Sequence, residues 1–121
     1  FSQAIASRFE MAMALTESEE KEALIIQQHW QDIVAKNLDE TSCLFLPTTP
    51  TTAPKLGEDT SQLRMRIITL SAIAGLSRSA QVHLPLASSA QGHPYGFSLM
   101  MSHGHDKSLL AMVNKLSKNF R

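Results

Sequence analysis

Apolar positions at Ile26, Trp30, Ile33, Val34 and Leu38 recur at intervals of three and four, predicting an amphipathic helix from Glu17 to about Asn37. Thr16-Glu17-Ser18-Glu19 fits a capping box at its start, with Thr16 as N-cap and Glu19 at the third helical position. The acidic first turn suits the positive end of the helix dipole. Upstream, Ser2 to Leu15 is rich in Ala and Met and should be helical. The pattern then changes. Cys43-Leu44-Phe45-Leu46 is an uninterrupted apolar run that stops at Pro47, and it reads as a strand buried on both faces. Proline cannot donate to a ladder, so Pro47 ends it. A loop rich in Pro and Thr continues to about Thr60. Leu63, Ile67, Leu70 and Ala74 share one face of a helix over Ser61–Ala74, with Gly75 as its terminator. Gln81–Leu86 and Tyr95–Met101 both alternate. Val82, Leu84 and Leu86 share a side of the first, which ends near Pro85; Tyr95, Phe97, Leu99 and Met101 share a side of the second. The loop Ala87–Pro94 joins them. After Ser102–His105, a last helix capped by Asp106 carries the stripe Leu109, Met112, Val113, Leu116 and Phe120. The order is α-α-β-α-β-β-α without internal repeats, which argues for an α/β layer.

Three strands and four helices make a thin sheet, and a strand buried on both faces needs more cover than they supply. The chain of 121 residues, one segment over residues 1–121, is therefore expected to pack against further sheet. It begins at Phe1 rather than Met, in keeping with a piece of something longer. Its exposed edge should favour self-association, by strand pairing or exchange of the first helix.

Composition changes little in this picture: 43% hydrophobic and 18% charged residues are ordinary for a globular protein. No stretch has the apolar length of a membrane span, and the N-terminus is no secretory signal. Charge is uneven. Residues 1–40 hold three basic and eight acidic residues, whereas residues 61–121 hold seven basic and one acidic, so the two parts should attract. The basic residues form no dense cluster and have little aromatic company, which argues against nucleic-acid binding. One cysteine excludes an internal disulfide, and a reducing cytoplasm is the default location.

Candidate chemistry is sparse. Ligand sites in open α/β sheets tend to lie just beyond strand ends, which draws attention to the Pro47–Pro54 loop. Its alternative role is that of a stiff connector with low chain entropy. His103 and His105 form an H-x-H pair; two imidazoles so spaced can share a metal when both project to one side. Only Asp106 and distant His93 could assist, so the pair reads as a solvated turn and no metal or other cofactor is expected. Cys43 opens an apolar run without a neighbouring base and reads as an inert thiol. His29 and His83 read as structural, and the six methionines as core filler.

Three blocks, LFLPTTPTTAPKLGE (Leu44–Glu58), LSAIAGLSRSAQVHLPL (Leu70–Leu86) and GHPYGFSLMMSHGHDKSLLAMV (Gly92–Val113), together resemble the C-terminal region of the amidase signature family. They match its strand with a P-T-T-P-x-x-A-P loop, its A-G-L-P-Q-V segment and its G-x-P-x-G…G-x-D-x-x-L-L segment. The likeness is closer to indole-acetamide hydrolase-like amidases than to glutamine amidotransferase subunits. It implies a fragment of an α/β/α sandwich, and a complete protein that hydrolyses a small-molecule carboxamide to acid plus ammonia or amine.

The resemblance also implies what is missing here. The family's Ser–cis-Ser–Lys triad lies upstream, in a glycine-rich segment and an earlier lysine. Neither occurs in these residues, and Ser88-Ser89 sits in Ala-Ser-Ser-Ala without flanking glycines. No catalytic residue is therefore assigned, and the chain alone should be inactive. By resemblance the Pro47–Pro54 loop approaches the substrate entrance, with Thr48, Thr49 and Thr51 as substrate-binding hydroxyls. Two departures stand out. Arg78-Ser79-Ala80 replaces the usual Gly-Leu-Pro turn before Gln-Val, and Met101-Ser102-His103-Gly104 keeps only one of two family glycines. They motivate a second expectation, an amidase-like scaffold or interaction domain without catalysis.

Overall fold

The computed structural model describes residues 3–118, except the side chains of Ala4 and Leu86. The elements are α1 (Gln3–Met13), α2 (Glu17–Asn37), β1 (Leu44–Pro47), α3 (Ser61–Leu76), β2 (Ala80–Ser88), β3 (Pro94–Met101) and α4 (Asp106–Ser117), in the expected order. Ser2 in the first helix, the side chain of Leu86 in its strand and Phe120 in the last stripe lie outside the described residues. The capping box forms as expected: Thr16 accepts from the Glu19 amide, and the Glu19 carboxylate accepts from the Thr16 amide at 2.8 Å.

The strands form one antiparallel sheet in the order β1-β3-β2. Its register decides what each residue does. Leu44 pairs with Met100 and Phe45 with Leu99, while Val82 pairs with Leu99 and His83 with Ser98. One face carries Leu84, Leu99 and Met101 against Leu109 of α4, with Cys43, Val82, Phe97, Met112 and Val113 around them. The opposite face carries Met100 against Val34 of α2 and Ala74 of α3, flanked by Leu38, Leu44, Leu46 and Ile73. Helices on both sides of a sheet make the α/β/α sandwich.

The doubly buried strand is β3, not β1. Ser98, Leu99, Met100 and Met101 are all buried, on alternating faces, because β3 lies between two strands and two helical layers. β1 lies at an edge, and Phe45 is 61% exposed although its ring rests 4.1 Å, centre to centre, from that of Phe97. An apolar run of four residues does not distinguish these positions.

Two helix ends differ from expectation. Asp106 is the first residue of α4 rather than its cap; His105 occupies the cap position without a capping side chain. Gly75 lies inside α3, which runs on to Leu76. The turn that stops α3 is a Schellman motif: the Ser79 amide donates to the Ala74 carbonyl and the Arg78 amide to that of Gly75. Arg78 then takes the left-handed position, at φ 56°, where glycine is the usual residue. A side chain there costs about 1–2 kcal/mol. Arg78→Gly should therefore raise stability by about 0.5–1 kcal/mol, once the extra freedom of an unfolded glycine is subtracted. A thermal melt should show a Tm gain of about 2–5 °C; a loss would mean that the arginine makes compensating contacts.

The turn between α2 and β1 is closed by one carboxylate. Asp39 accepts from the Ser42 hydroxyl at 2.7 Å, the Thr41 hydroxyl at 2.8 Å and the Thr41 amide at 2.9 Å. These bonds, that of Ser42 foremost, hold its pKa down at about 2. The unfolded carboxyl titrates near 4, so the turn's contribution is complete above about pH 4 and fades as pH falls toward 2. Asp39→Asn should flatten the acid side of a Tm-versus-pH curve over that window. Parallel curves for the two proteins would contradict it.

The charge asymmetry produces no ion pair between the two parts among the described residues. Lys21–Glu17, at 2.7 Å, joins neighbours on one exposed turn of α2 and contributes little. No helix of the described residues is long and apolar enough to cross a membrane.

Candidate functional site

Strand alternation extends past the end of β1. Leu44 and Leu46 face α2 and α3, and Thr48, two residues on, falls on the same side. There it meets the two residues that the register places side by side on β2 and β3. The Thr48 hydroxyl lies 2.6 Å from His83 Nδ1 and 2.7 Å from the Ser98 hydroxyl. Ser98 is fully buried, Thr48 half-buried and His83 exposed, so the cluster leads from the core to the surface. One proton arrangement leaves no buried donor idle. Ser98 donates to Thr48, Thr48 donates to His83 Nδ1, and the imidazole carries its proton on Nε2.

The other two candidate threonines do not join this cluster. Thr49 donates to the Thr51 carbonyl at 2.8 Å and Thr51 to the Thr52 carbonyl at 3.0 Å, so both hydroxyls stiffen the loop itself. Further along, Pro54 faces Leu63, Arg64 and Ile67 of α3 across a hollow of about 440 Å³. The proline loop thus starts at a three-strand polar junction and borders an apolar recess.

His103 and His105 turn to different partners, Arg78 and Ser102, at 3.0 Å each. No group of three or more His, Cys, Asp or Glu side chains gathers at one point among the described residues. Ser88 ends β2 on the surface, and the Ser89 hydroxyl accepts from the amides of Gln91 and His93 within its own turn. Cys43 borders the α4-side core. Sequence reasoning missed the roles of Ser98 and His83; the signal was their cross-strand pairing, which needs the register.

This sandwich has counterparts among known proteins. Amidase 1 of Oryza sativa subsp. japonica is 36% identical over 94 residues, 75% of this chain but 21% of the relative. Amidase 1 of Arabidopsis thaliana is 28% identical over 120 residues, 97% of this chain and 28% of the relative. A crystal structure of an amidase superposes over the whole chain with a TM-score of 0.87 at 26% identity, using 29% of that protein. The chain matches the C-terminal portion of an amidase signature enzyme. This amidase-type segment spans about a quarter of the length of those relatives. A glutamyl-tRNA(Gln) amidotransferase subunit from Thermotoga maritima shares its fold, with a TM-score of 0.69 over 88% of the segment at 21% identity. No profile of a known protein family matches the segment.

Proposed function

We propose that the chain serves as the sheet-edge and pocket-wall portion of an amidase that hydrolyses a small carboxamide to acid plus ammonia or amine. The similarity to plant and crystallised amidases over a continuous stretch carries this reading. In it, Thr48 anchors the proline loop, while Thr49 and Thr51 shape the loop toward the substrate entrance. The nucleophile and its base come from outside the 121 residues, because no Ser–Ser–Lys constellation is assembled among the described ones. The exposed apolar side chains of Phe45 at the sheet edge and of Leu24, Ile25 and Ile26 on α2 are adhesive positions. The chain by itself should then self-associate and be inert toward amides.

One preparation tests both statements. The pure 121-residue chain is assayed for ammonia release from aliphatic and aryl-acetic primary carboxamides, and sedimented over a range of concentrations. No turnover with concentration-dependent association is the expected result. Turnover by the chain alone would overturn the assignment of its catalytic groups elsewhere, and a monomer at every concentration would overturn the adhesive edge.

The second reading, a non-catalytic amidase-like scaffold, draws support from Arg78 in a left-handed turn that normally holds glycine. A reading frame that reaches upstream through a Gly-Ser-Ser-Gly segment and a lysine favours the enzyme; one that lacks them favours the scaffold.

A further inference from the structure

At the end of the sheet remote from the proline loop, the turn after α3 and the turn after β3 meet the flank of α2. They enclose a cleft of about 250 Å³ bordered by Gln28, Gln31, Asp32, Arg78, Ser102 and His103. Its electrostatics are unusual. Arg78 and Asp32, of opposite charge, both border this small hollow, yet among the described residues neither forms an ion pair. Asp32 accepts from the Gln28 amide at 2.9 Å, which fixes one carboxylate oxygen and leaves the other for a further donor.

His103 is oriented as well. Its Nδ1 lies 3.0 Å from the Arg78 carbonyl, and a carbonyl only accepts, so Nδ1 carries the proton. In the neutral ring Nε2 is then an acceptor. The same contact ties the β3–α4 turn to the turn that presents Arg78. That turn holds its arginine in a backbone conformation at φ 56° that costs energy, and such strain concentrates at functional sites. The cleft is thus bordered by an arginine, whose guanidinium suits two-pronged carboxylate binding, and by two side chains with a free acceptor, which suit an ammonium.

We propose that this cleft binds the zwitterionic head of a small α-amino acid, Arg78 taking the carboxylate and Asp32 with His103 taking the ammonium. The side-chain amides of Gln28 and Gln31 complete the rim. This site stands apart from the Thr48 junction and does not depend on the amidase reading.

The test titrates the ¹⁵N-labelled 121-residue chain with L-alanine, and with propionate and ethylammonium as its two half-ligands. L-alanine should give saturable shifts confined to residues around the cleft, and each half-ligand should bind at least about tenfold more weakly. Two variants separate binding from folding. Arg78→Gly relieves backbone strain, so it should raise Tm while weakening L-alanine at least about tenfold. Asp32→Asn keeps an acceptor for Gln28; it should weaken L-alanine and leave propionate unchanged. The absence of saturable shifts, propionate binding as tightly as L-alanine, or undiminished binding by Arg78→Gly would each overturn the proposal.

Discussion

Gly96→Ala should destabilise the protein by about 3 kcal/mol, and Gly75→Ala should stabilise it by about 0.5–1 kcal/mol. The opposite signs come from what a methyl group meets. Leu84 pairs with Phe97 and Ala87 with Tyr95, so Pro85 and Leu86 of β2 together oppose Gly96 alone. This is a bulge, and proline is tolerated there because the ladder is already interrupted. The bulged strand closes down on Gly96. A Cβ there would collide with the Leu84 carbonyl oxygen and stand 2.8 Å from His83 Cε1. The first contact is with backbone, which moves only if β2 separates from β3. Around Gly75, on the exposed side of α3, a Cβ meets nothing within 4 Å, and alanine is the better helix former. Urea unfolding of the two variants beside the parent should show midpoints displaced in opposite directions. A Gly96→Ala midpoint equal to the parent's would mean that the bulge yields, and the close approach would then have no structural role.

That contrast separates what is local in the chain from what is not. Periodicity, composition and one apolar run located the elements, and the Thr16–Glu19 box placed the start of α2 to the residue, because these signals are local in the chain. Burial depth depends on neighbours distant in sequence. Cys43–Leu46 is more continuously apolar than Tyr95–Met101, yet the latter became the centre of the sheet because two strands flank it. Helix α3 passed through Gly75 since glycine only permits a stop, and the hydrogen bonds that end the helix formed three residues later at Arg78. The two glycines, 75 and 96, differ through their surroundings: the first lies on the open side of a helix, the second opposite a bulge that only the register reveals.

The candidate site divides in the same way. The proline loop was legible because a strand ending at proline is a local event. Among its threonines, nothing in the order of residues separates Thr48 from Thr49 and Thr51. The fold does: strand alternation directs Thr48 to the buried Ser98, whereas the other two hydroxyls bond to backbone within the loop. Ser98 and His83 looked like ordinary polar positions of two separate strands, and only the antiparallel register sets them opposite each other.

Thr48→Val is the sharpest test of that junction. Valine keeps the branched shape, so packing is nearly preserved while both hydroxyl contacts go. The two partners then fare differently. His83 is exposed and turns to water, but Ser98 has no solvent access, and its hydroxyl proton is left without the acceptor at 2.7 Å. A buried donor without a partner costs about 1–3 kcal/mol, and Thr48→Val should lose that much. Ser98→Ala removes the buried donor itself, and half-buried Thr48 retains His83, so its cost should be only about 0.5–1 kcal/mol. In the Thr48→Val background, removing the Ser98 hydroxyl should recover about 1 kcal/mol, making the pair non-additive. Urea midpoints for the two single variants and the double variant give the coupling directly. Additive costs, or a Ser98→Ala loss larger than that of Thr48→Val, would mean that Thr48 does not hold Ser98, and the proline loop would lose its anchor to the centre of the sheet.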